Sequence, residues 1–142
     1  MSQPENDHHD DAGVTVLDAR RVMEDMEIDA EGYAELVAVF LEEVAPMRDA
    51  VTRSLSTGRE SFIKVCHEFG TTLGVVGALR GERFARRLER ALRADQPVDL
   101  AVAAASLLRE LEVAAGLVTG GVSRAWQSRL EPRDDPITAG SR

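Results

Sequence analysis

The sequence predicts an all-α protein, an antiparallel up-and-down four-helix bundle with a short N-terminal helix and a terminal turn or short helix at its C-terminal end. Two observations carry this. Ala, Leu, Arg and Glu dominate residues 14–130, and no strand-like alternation persists beyond a few residues. Apolar residues instead recur at spacings of three and four through four long stretches joined by short connections, the pattern of helices that each bury one face.

The first helix is expected over about Leu17 to Met26, and Asp29 is placed to cap the next. The second carries the apolar stripe Tyr33, Leu36, Val37, Phe40, Leu41, Val44, Met47, Val51 and Leu55. Pro46 falls inside it, so a kink or local distortion is expected there. Thr57-Gly58-Arg59-Glu60 fits a capping box and opens the third helix, whose apolar face is Phe62, Val65, Cys66, Phe69, Leu73 and Val76. The fourth is expected over about Ala78 to Ala94, burying Leu79, Phe84, Leu88 and Leu92. After the break at Gln96-Pro97 the fifth runs from about Asp99 to Val118 with Leu100, Ala104, Leu107, Leu111, Ala114 and Val118 on one face, and Gly120-Gly121 ends it. Val122 to Leu130, with Trp126, reads as a terminal turn or a final helix. Residues 1–13, an acidic stretch, and 131–142 lack periodicity and read as disordered tails around one domain over 14–130.

The length of 142 residues suits one domain plus tails, and no apolar run approaches the roughly 20 residues of a membrane span. The N-terminal stretch is polar and acidic, so a cytoplasmic location is expected. A single cysteine excludes an intramolecular disulfide and a cysteine-built zinc site. A net charge of -8 argues against bulk electrostatic binding of nucleic acid. The charge is uneven, because residues 50–94 hold nine bases against four acids, net +5. That segment could steer an acidic partner, or it could simply form solvated helix faces.

Three histidines are present, and His8 and His9 lie in the acidic N-terminal stretch, where no preorganised metal geometry is expected. His67 alone lies within the predicted domain. Its helical neighbours are Glu60, Ile63, Lys64, Gly70, Thr71 and Gly74, so periodicity puts it opposite the apolar face of the third helix. Glycine weakens a helix interior, so Gly70 and Gly74 need a reason. They either leave the ring uncovered for a second macromolecule, or allow close helix packing, or mark a fraying end. Cys66, adjacent to His67, diverges from it by about 100° on a helix and belongs to the core rather than to a Cys–His nucleophile pair.

The run Cys66-His67-Glu68-Phe69-Gly70-Thr71-Thr72-Leu73-Gly74-Val75-Val76-Gly77-Ala78 resembles the signature of histidine-containing phosphotransfer (HPt) domains, roughly A-H-x-L-K-G-x-x-x-x-[LIV]-G-A. His67 falls on the phosphorylated histidine, Phe69 on the buried leucine and Val76-Gly77-Ala78 on the motif's end. Phe40 to Pro46 is similar to the family's stretch that opens F-L and closes on P, and Arg83 to Glu89 to its L-x-x-x-L-E helix; the likeness covers about Val16 to Val118. Where the family has Lys and Gly three and four residues after the histidine, this chain has Gly70 and Thr71. Lys64, the only lysine, lies one turn before His67 and could supply the charge; Thr71 could bond a phosphoryl oxygen or the His67 carbonyl.

The resemblance implies a phosphocarrier in a two-component phosphorelay. It would take a phosphoryl group on His67 from a receiver-domain aspartate and pass it to another. Its partners would be receiver domains of response regulators or hybrid histidine kinases, with Lys64, Gly70, Thr71 and Gly74 supporting the phosphate or the docking. It would be a monomer with no cofactor or metal of its own, and it would touch neither nucleic acid nor membrane. The chain carries no Gly-rich phosphate loop, so a kinase would act upstream. The alternatives are a non-transferring relative that binds receivers or kinases as an inhibitor or scaffold, and a plain helical interaction domain.

Overall fold

The computed structural model describes residues 15–120. The acidic stretch 1–13 with His8 and His9, the segment Val122 to Leu130 with Trp126, and residues 131–142 lie outside the described residues. Within them the chain is all-helical, with five helices: α1 (Ala19–Met26), α2 (Ala30–Thr57), α3 (Arg59–Val75), α4 (Leu79–Arg93) and α5 (Leu100–Thr119). None of these is long and apolar enough to cross a membrane.

Aspartate sets three of the five helix starts. The carboxylates of Asp18, Asp29 and Asp99 accept the backbone N–H groups of Arg21, of Gly32, and of Ala101 and Val102, which would otherwise lack intrahelical partners. The expected capping box at Thr57 does not form. Thr57 is the last residue of α2 and its hydroxyl donates to the Arg53 carbonyl at 2.8 Å, while Gly58 alone separates α2 from α3 and provides no side-chain cap. That single residue makes the connection with a φ of +130°, which glycine adopts freely, so Thr57 stays helical. Helix α2 continues through Pro46 as one element. Pro46 and Glu42 are both exposed, and the Glu42 carbonyl that Pro46 cannot serve is therefore near water.

The core draws on every helix, with Tyr33, Val51, Phe62, Leu73, Leu107 and Leu111 fully buried. The face predicted for α3 is buried without exception, Val76 included. Other expected core positions sit nearer the surface: Leu36, Val44, Leu79, Phe84 and Leu100 are half-buried, and Leu41 and Leu55 are exposed. On α4 the small residues Gly81 and Ala85 join Leu88 and Leu92 in facing inward. The cause is the closeness of α4 to α3, the most extensively packed pair: a Cβ at Gly81 would meet Leu73 Cδ1 at 2.9 Å.

The turn between α3 and α4, residues 76–78, is tied down twice. Asp18 N–H donates to the Gly77 carbonyl at 2.9 Å, and the buried Tyr33 hydroxyl donates to the Val76 carbonyl at 2.7 Å. Burial, with the Asp18 charge adding to it, pushes the Tyr33 hydroxyl up to about 12, so it remains a donor. Tyr33→Phe should lower the unfolding free energy by about 1–3 kcal/mol, the cost of stranding a buried carbonyl. A denaturant midpoint equal to that of the wild type would show that water replaces the hydroxyl.

Candidate functional site around His67

His67 sits in the middle of α3, on the side away from Phe62, Cys66, Phe69 and Leu73, and its side chain is 57% exposed. Neighbouring Cys66 is wholly buried; burial, aided by the Glu89 charge, pushes its thiol up to about 12, which removes it as a nucleophile near neutral pH.

The imidazole is held from across the helix pair. Its Nδ1 lies 3.2 Å from Oε2 and 3.3 Å from Oε1 of Glu89 on α4. Glu89 is itself only 13% exposed and accepts a second bond from Arg93 Nε at 3.0 Å. Burial alone would raise the Glu89 pKa. The hydrogen bond from Arg93, the charge of His67 and its hydrogen bond, and the Arg93 charge together outweigh that and hold the carboxyl below its ordinary value. A carboxylate only accepts, so Nδ1 carries a proton, and when the ring is neutral Nε2 keeps its lone pair. The arrangement anchors the ring through Nδ1 and leaves Nε2 on the half-open surface, unprotonated in the neutral form.

Gly70 and Gly74 do not open space beside the ring. Gly70 is buried and lies beneath the Arg86 guanidinium, and Gly74 lies beneath the Glu82 carboxylate; a Cβ at either would come within 2.9 Å of those groups. Close packing of α4 on α3 is what the two glycines permit. Thr71 is exposed, and its hydroxyl donates to the His67 carbonyl at 3.3 Å rather than toward the ring. Lys64 is exposed one turn before His67, in a shallow hollow with Glu60, Ser61, Ile63 and Arg93.

Several bases of segment 50–94 are already engaged by other groups of the fold. Arg80 pairs with Glu110 and Arg86 with Glu82, while Arg59 donates to the Gln96 carbonyl at 2.7 Å. Glu89 and Arg86 are the residues at this site that helical spacing around His67 cannot reveal, since they come from another helix. The signal available was the resemblance of Arg83 to Glu89 to a family helix, which marked the segment without assigning the carboxylate a role. Among the described residues no group of three or more His, Cys, Asp or Glu side chains is placed to hold a metal ion. In comparisons with known proteins, no family model, curated protein or solved structure matches this chain.

Proposed function

We propose that this protein is an HPt-like phosphocarrier that accepts a phosphoryl group on His67 from a receiver-domain aspartate and hands it to another receiver. The observation that carries the reading is the His67–Glu89 pair, an exposed imidazole whose Nδ1 is engaged by a largely buried carboxylate, which leaves Nε2 as the ring nitrogen open to a partner. The fold that goes with it is an antiparallel up-and-down four-helix bundle of α2 to α5. The one-residue link at Gly58, the three-residue turn 76–78 and the packing of α2 against α5 support that arrangement.

In the transfer, the Nε2 lone pair attacks phosphorus of the partner's aspartyl phosphate. The N–P bond forms as the acyl O–P bond breaks, and the aspartate leaves as a carboxylate. No proton has to move at Nε2. The ring gains positive charge, and Glu89 at 3.2 Å from Nδ1 stabilises it. The resemblance assigns the aspartate and its Mg²⁺ to the receiver, so this chain has only to present the ring. The N–P bond stays labile enough for the reverse attack by a second aspartate.

The test is incubation of the full chain with a phosphorylated receiver domain and Mg²⁺. Acid-labile, base-stable phosphate should appear on this chain; its absence would overturn the carrier reading. A second reading, a receiver- or kinase-binding scaffold that does not transfer, is favoured by one observation: the Thr71 hydroxyl is committed to the His67 carbonyl. Complex formation with the receiver and no label would select it.

A further inference from the structure

We propose that Arg86 grips the phosphoryl group on His67, from the space that Gly70 leaves on α3. This rests on the carrier reading above and adds the residue that would stabilise the bound phosphate. A Cβ at position 70 would lie 2.9 Å from Arg86 Cζ and Nη1 and 3.1 Å from its Nε, so the guanidinium fills the volume that a side chain at position 70 would occupy. Position 70 is one turn after His67, and side chains at that spacing start about 5–6 Å apart on one strip of a helix. A planar fork of N–H donors therefore stands within a side chain's reach of the ring.

Three residues of α4 line up along this edge at spacings of three and four: Arg86, Glu89 and Arg93. The carboxylate that engages Nδ1 is thus flanked by a cation on each side. Arg93 already donates its Nε to Glu89. Arg86 pairs instead with Glu82, at a loose 3.6 Å with side chains 36% and 32% exposed. Glu82 covers Gly74, a further turn from His67 along α3. A phosphoryl group on Nε2 brings nearly two negative charges and three acceptor oxygens, for which the guanidinium fork is the complementary donor.

The test uses the full chain with Arg86→Ala, Arg86→Lys and Gly70→Ala, phosphorylated with phosphoramidate, a small donor that needs no partner protein. Far-UV circular dichroism and the denaturant midpoint establish that each variant folds. Label uptake on His67 should fall by about tenfold in Arg86→Ala, the loss expected for one charge-assisted hydrogen bond at a partly exposed site, and Arg86→Lys should recover part of it. Gly70→Ala should slow uptake as well, because its Cβ displaces the guanidinium. The ³¹P resonance of the phosphohistidine should titrate at higher pH in Arg86→Ala than in the wild type, which loss of mere packing would not produce. Uptake and ³¹P titration unchanged in Arg86→Ala, with the wild type labelled, would overturn the role of Arg86 and leave the carrier reading standing. No label on any form would overturn both.

Discussion

A chain carrying His67→Gln should take up no acid-labile, base-stable phosphate from a phosphorylated receiver under conditions that label the wild type fully. Glutamine keeps a polar group of similar reach but has no nitrogen lone pair able to form an N–P bond. The substitution should leave the fold alone. The side chain is 57% exposed, so losing its bond to Glu89 should cost about 0.5 kcal/mol, the low end for a hydrogen bond that water can replace. Glu89 loses one partner but keeps the bond from Arg93, so no buried carboxylate is stranded. A lost label with an unchanged denaturant midpoint therefore separates chemistry from unfolding. Equal labelling of the variant and the wild type would remove His67 as the acceptor and direct attention to His8 and His9.

Gly77→Val should destabilise the domain by about 2–5 kcal/mol, a large share of the roughly 5–15 kcal/mol typical of a domain. Gly77 has a φ of +84°, where a β-branched residue is strained by more than about 1 kcal/mol. Its Cβ would also stand 2.7 Å from the Asp18 carbonyl oxygen and 2.8 Å from Val22 Cγ2. The first obstacle is backbone and is held in place, because Asp18 N–H donates to the Gly77 carbonyl at 2.9 Å. Relief would mean moving α1 away from the α3–α4 turn or giving up that bond. Urea unfolding followed by circular dichroism measures the effect, and a shift below about 0.5 kcal/mol would mean that the turn rearranges cheaply. Because this turn sets how α4 lies on α3, a destabilised Gly77→Val chain should also lose the geometry that brings Glu89 to His67.

Much of the architecture was legible along the chain. The helical stretches, the buried face of α3 and the exposure of His67 follow from the 3.6-residue period, and the cap at Asp29 from its residue type before a periodic stretch, local properties of the sequence that need no knowledge of neighbours. Two departures have different origins. Thr57 left its expected capping role because a single glycine makes the turn. Leu79 and Phe84 stayed half-buried, with Gly81 and Ala85 inward, because α4 approaches α3 closely.

The same close approach settled the chemistry of the site. Periodicity placed one imidazole on the polar side of a helix beside two glycines, and open access or tight packing were equally good readings of those glycines. The crossing of α4 over α3 decided between them, setting Arg86 over Gly70 and Glu82 over Gly74 and bringing Glu89, 22 residues away, to Nδ1. Which face a helix buries is written in its own spacing. Which side chain of the next helix meets it depends on the length of the turn and the closeness of the pair, and both exist only once the chain is folded.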